Sequence, residues 1–100
     1  MNEDTAFKVS NGAFARITSE AKARGVSVGH LFRGRAYRLA HADNPRFNVS
    51  GQHLGRTFHC GVNSDVYAAL VSMVDQLDVP RDTIGELVCT HVEEYAYDAA

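Results

Sequence analysis

Apolar and polar residues alternate through TFHCGV, Thr57–Val62, so that Phe58, Cys60 and Val62 fall on one side and Thr57, His59 and Gly61 on the other. A two-residue period is that of a half-buried strand. Asn63-Ser64-Asp65 then supplies a helix cap and an acidic first turn. Val66, Leu70, Met73, Val74 and Leu77 recur at three- and four-residue spacing, which predicts an amphipathic helix. Asp78-Val79-Pro80 interrupts it, and Ile84, Leu87, Val88, His91, Val92 and Tyr95 make a second helical stripe. The predicted order is strand, helix, turn, helix.

The same order recurs 53 residues earlier. Thr5, Phe7 and Val9 align with Phe58, Cys60 and Val62, and Ser10 and Asn11 with the capping pair Asn63 and Ser64. Phe14, Ile17 and Ala21 align with Tyr67, Leu70 and Val74, Val26 with Val79, Leu31 with Ile84, and Leu39 with Val92. Identities are few (Val9, Ala15, Ser19 and Val26), so the repeat lies in the apolar pattern. The stretch 41–56 carries Asn-Pro, Ser-Gly and Leu-Gly breakers and reads as a linker. Residues 1–100 are therefore expected to form a single domain made of two units, 4–40 and 57–96, joined by linker 41–56.

Charge separates the two halves. Residues 1–56 hold nine Lys/Arg against four Asp/Glu, and residues 57–100 hold one Arg against eight acids. The net charge of −2 hides this asymmetry, which suits a molecule with one basic and one acidic side. With 45% hydrophobic and 22% charged residues, the composition is that of a globular domain. The N-terminal stretch MNEDTAFKVS has no apolar h-region, no apolar run is long enough to span a bilayer, and a cytoplasmic location is expected. Asn48-Val49-Ser50 matches a glycosylation sequon that carries no weight without a secretion signal.

The alternating strand running into a capped helix, followed by GVSVGHLFRGRA (Gly25–Ala36), resembles the ribbon-helix-helix (Arc/MetJ-type) family. That junction is similar to the family's G-x-S-x-x-x-L run, while Val79–Cys89 has Pro80 in the serine's place. The tandem arrangement on one chain resembles conjugation accessory proteins of the TraY type. The resemblance implies a mostly α fold with a short two-stranded antiparallel ribbon, in which the two strands pair over four helices as a tandem pseudodimer. It also implies a small DNA-binding protein, a repressor or a plasmid or phage accessory factor in transcription regulation, that inserts its ribbon into the major groove of double-stranded DNA.

Carried over by position, the ribbon's reading residues are Ala6 and Lys8 (with Asp4 at the margin), then Thr57, His59 and Gly61. Lys8 has several donors, and His59 and Thr57 can each make single hydrogen bonds, but Ala6 and Gly61 offer none. The phosphate contacts are Ser27 and Val28 at the start of the second helix, with Arg24 beside them, and Arg81 in the second unit. Ser27 and Asp82 are explained equally by ordinary helix capping. Arg35 and Arg38 align with core-facing Val88 and His91, so either the first unit is irregular or these arginines cross to the acids of the second half, Asp75, Glu86, Glu93 and Glu94; for the run Arg33, Arg35, Arg38 a phosphate site stands beside the usual solvated or salt-bridged face. A protein-binding module or a small phage- or plasmid-encoded inhibitor on the same scaffold is the alternative. Its partner would dock through the basic first half or the acidic second half, and the chain would be a monomeric pseudodimer or a homodimer.

No enzyme, metal or cofactor is expected. His59 and Cys60 are strand neighbours and point to opposite faces, so they cannot act as a nucleophile–base pair. Cys89 and His91 stand two apart on a helix and face away from each other. The five histidines contain no HxxxH motif, and no CxxC, phosphate-loop or G-x-S-x-G motif occurs. Cys60 and Cys89 read as buried, reduced thiols.

Overall fold

The structure is a computed structural model and describes residues 2–42 and 53–90. It is mostly helical, with one two-stranded antiparallel sheet and four helices. In chain order these are β1 (Asn2–Val9), α1 (Asn11–Arg24), α2 (Val28–Ala40), β2 (Arg56–Asn63), α3 (Ser64–Gln76) and α4 (Ile84–Thr90), with a 3-10 turn at Arg81–Thr83 leading into α4. The central stretch of the linker, 43–52, and positions 91–96 of the second unit (His91, Val92, Glu93, Glu94 and Tyr95 among them) lie outside the described residues.

Each helix begins where its cap residue stands. Ser10 has extended backbone and accepts from the Ala13 amide, which opens α1 directly after β1. Asn63 accepts from the amides of Asp65 and Val66 and does the same for α3. Ser27 accepts from the His30 amide and opens α2. The turn before α4 has Pro80 at the equivalent place, without a side-chain cap; the Thr83 amide bonds the Pro80 carbonyl instead. Both long first helices stop at a left-handed residue: Gly25 at φ 69° and Asp78 at φ 59°. Beyond them, the Val26 amide returns to the Ala21 carbonyl (3.0 Å) and the Val79 amide to the Val74 carbonyl (3.1 Å).

The strands pair with Ala6 opposite His59 and Phe7 opposite Phe58. On the inner face Phe7, Val9, Cys60 and Val62 are buried. They meet Ala13, Ile17 and Ala21 of α1, Leu31, Phe32, Ala36 and Leu39 of α2, Val66, Leu70 and Val74 of α3, and Ile84, Leu87, Val88 and Cys89 of α4 in one core. Phe32 is its centre: fully buried, with ring centroids 4.7 Å from Phe7 and 5.0 Å from Phe58. α4 runs close beneath β1. A Cβ on Gly85 would lie 2.9 Å from both the Lys8 carbonyl oxygen and the Phe7 Cβ, so only glycine fits there.

Among the described residues, three polar or charged ones are buried: Ser10, Arg35 and Glu86. The Glu86 carboxylate accepts from the Ser10 amide (2.8 Å) and from its hydroxyl (2.7 Å), so α4 ties down the start of α1. Arg35 donates to Glu20 of α1 and to the Cys89 carbonyl of α4 (3.3 Å). The expectation that Arg35 meets phosphate or the second half's acids thus falls on a buried side chain, and two of those acids, Glu93 and Glu94, lie outside the described residues. One carboxylate beside it is that of Glu20 on α1, and sharing the desolvated charge offsets the cost of burying the guanidinium. Of the acids proposed for it, Glu86 serves Ser10 and Asp75 serves Arg81.

Candidate nucleic-acid interface

Alternation within a strand carries every second side chain to the face away from the core. In β1 these are Asp4, Ala6 and Lys8, and in β2 Thr57, His59 and Gly61. All are exposed except half-buried Gly61. The register sets Ala6 across from His59, Lys8 across from Thr57 and Asp4 across from Gly61. The expected reading residues thus stand together on one uncovered face.

Each cationic or ionisable donor on that face has an acid near it. Lys8 Nζ is 4.0 Å from Asp82 Oδ2, and His59 Nδ1 is 4.0 Å from Asp4 Oδ2. Both pairs are highly exposed, so water and salt screen them and neither holds its cation firmly.

The starts of α2 and of the 3-10 turn flank the ribbon. The Cys60 thiol donates to the Gly29 carbonyl (3.7 Å), which sets the first turn of α2 against β2. The Lys8–Asp82 approach sets the 3-10 turn against β1. Ser27 is exposed and Val28 half-buried at the first of these sites, with exposed Arg24 three residues before Ser27. With Ser27 capping the His30 amide, the amides of Val28 and Gly29 remain in the free first turn of the helix. The second site differs. Arg81 is bound by both nitrogens to Asp75 (3.1 and 3.4 Å), and that hydrogen bond and charge raise its pKa. Asp78 and Asp82 are exposed around it. Arg81 is thus paired with α3 while its side chain stays largely exposed.

Two arginines outside the expected site lie close by. Arg56 sits over the Phe14 ring at 4.5 Å and donates to Asn11 (3.4 Å), so it covers α1. Its even position, shared with Phe58 and Cys60, was the available signal that it leaves the outer face. Arg33 approaches the Cys60 thiol at 3.8 Å. Burial raises the Cys60 pKa, with Arg33 opposing that shift. Among the described residues, no three His, Cys, Asp or Glu side chains gather as metal ligands, and no helix is long and apolar enough to cross a membrane. Compared with protein-family models, curated proteins and solved structures, the chain matches none.

Proposed function

We propose that this chain is a DNA-binding protein built as a tandem ribbon-helix-helix pseudodimer, which lays the outer face of β1 and β2 in the major groove. The observation that carries the reading is the two-faced ribbon: one face is packed into the core, while Ala6, Lys8, Thr57 and His59 stand uncovered on the other. The repeat is supported by the spacing of 53 between structural landmarks: caps Ser10 and Asn63, left-handed Gly25 and Asp78, caps Ser27 and Pro80. The buried positions Ala13, Ile17 and Ala21 have the same spacing from Val66, Leu70 and Val74. A two-fold relation of that spacing has its centre at the Ala6–His59 pair, which face each other across the ribbon.

In this reading Lys8 donates to guanine acceptors or to phosphate, and His59 and Thr57 make single hydrogen bonds to base edges. The first turn of α2, with Ser27, Val28 and Arg24, takes phosphate. The second unit contributes less, because Pro80 removes a donor and Arg81 is paired with Asp75. A second reading, a protein-binding module, draws on the acids beside Lys8 and His59. Selection from random duplex DNA at low salt separates the two. DNA binding predicts a short enriched motif that is lost in Lys8→Ala/His59→Ala. No retention at about 50 mM salt, where phosphate attraction is strong, would sink the DNA reading.

A further inference from the structure

The outer face of the ribbon has two unlike ends. At its middle Ala6 stands opposite His59; toward one end Lys8 stands opposite Thr57, and toward the other Asp4 stands opposite Gly61. The first end therefore offers an ammonium and a hydroxyl, the second a carboxylate and a residue with no side chain. Charge follows the same division. Arg56, opposite Val9 and lying over Phe14, adds a second cation beyond Lys8, although the exposed Asp82 approaches Lys8 at 4.0 Å. At the other end the Asp4 carboxylate is 79% exposed and reaches inward only to His59, at 4.0 Å. Under the spacing of 53, Lys8 corresponds to Gly61 and Asp4 to Thr57. Matched residues there would offer the groove the same donors twice, and the DNA site would mirror them as an inverted repeat. Neither position matches, so the two ends cannot read the same bases.

We propose that the ribbon reads one half-site only: a short, non-palindromic run of base pairs met by His59, Thr57 and Lys8, while the Asp4–Gly61 end crosses the DNA without selecting its sequence. This rests on the DNA-binding reading. Lys8 suits the guanine O6 and N7 acceptors, and Thr57 and His59 each supply a single hydrogen bond. Side chains two apart on a strand stand about 7 Å apart, which is about two base-pair steps at about 3.4 Å each. The donors from the centre of the ribbon to Lys8 therefore cover about three adjacent base pairs. At the far end Gly61 has nothing to reach a base edge. The Asp4 carboxylate accepts only from a base amino group, while the phosphates along both sides of the groove repel it.

The test is selection from random duplex DNA at low salt with the full chain and with Lys8→Ala, Thr57→Ala and Asp4→Asn, followed by the stoichiometry of the retained complex. All three side chains are exposed, so the variants should keep the wild-type circular dichroism. One-sided reading predicts a motif of about three base pairs without its inverted copy. Lys8→Ala and Thr57→Ala should each erase the preference at a position inside that motif, and Lys8→Ala should weaken binding to it about tenfold. Asp4→Asn should leave every position of it unchanged. An inverted repeat of equal halves bound by one chain, or a base preference lost in Asp4→Asn, would overturn one-sided reading and leave DNA binding intact. Retention without any motif would overturn it in the same way. If no duplex is retained at low salt, the DNA reading itself fails and one-sided reading falls with it.

Discussion

Residues 2–40 and 56–90 have the same order of elements, strand, helix, turn and helix, with different chemistry. The first stretch turns through Gly25, which adopts φ 69° without strain, and opens α2 with a serine cap. The second turns through Asp78 at φ 59°, has no side-chain cap, and passes through a 3-10 turn before α4. The first stretch buries an arginine, Arg35, where the second, 53 residues on, buries Val88. Their exposed charge differs as well: α2 has no acid and α3 no base. The apolar rows and the left-handed turn are thus common to both stretches, while caps and charges differ. The two halves are also locked reciprocally, since Glu86 of the second holds Ser10 of the first and Arg35 of the first holds the Cys89 carbonyl of the second.

The strongest way to break this comparison is through its matched core positions. Ile17 and Leu70 are both essentially fully buried at the middle of α1 and α3. Ile17→Ala and Leu70→Ala should each cost about 2–5 kcal/mol in urea denaturation. A cost in only one of them would show that the two helices are unequal members of the core.

Next comes the Glu86 clamp. Glu86→Ala leaves the buried Ser10 amide and hydroxyl without this partner and should cost about 3 kcal/mol. Adding Ser10→Ala should recover part of that loss, because the orphaned hydroxyl is gone; strictly additive costs would argue against coupling.

The turns give a smaller and opposite pair of effects. Gly25→Ala places a side chain at positive φ and should cost about 1–2 kcal/mol. Asp78→Gly relieves the same strain and should be neutral or stabilising by less than about 1 kcal/mol. If both substitutions destabilise, Asp78 holds its turn by more than backbone conformation.

The smallest expected effect is at the thiols. Burial pushes the Cys89 pKa from an ordinary 9.0 to about 12, with Glu86 adding to the shift. A thiol kept neutral in the fold contributes stability that is fully present below 9.0 and is lost as pH rises toward about 12. Cys89→Ser should flatten the fall in stability over that window, measured by urea melts. Native Cys89 should also react with a thiol reagent at pH 8 only as fast as the protein opens.

The strands, the first three helices and the turn positions were legible in the sequence because each follows from local chemistry. Phe58, Cys60 and Val62 alternate; Ser10, Asn63 and Ser27 cap; Gly25 and Pro80 interrupt. That Lys8, Thr57 and His59 lie opposite the apolar side of their strands followed from alternation, while their choice as a candidate reading face came from the family resemblance. Strand ends were less legible. Both strands run to eight residues, longer than the alternation suggested, because partner hydrogen bonds extend a ladder past its apolar core.

What the tertiary structure decided was the pairing of charges. Arg35 looked exposed enough for phosphate, but it is buried and donates to Glu20 and to the Cys89 carbonyl. Glu86 occupied an ordinary helical position, yet it accepts from Ser10, the cap of α1, 76 residues earlier. Arg81, read as a phosphate ligand, forms an exposed pair with Asp75. Local periodicity and caps depend on neighbours along the chain, so sequence determines them. Which acid meets which base depends on the few ångströms between elements far apart in sequence, and on whether water is excluded there. Those distances exist only once the helices have packed.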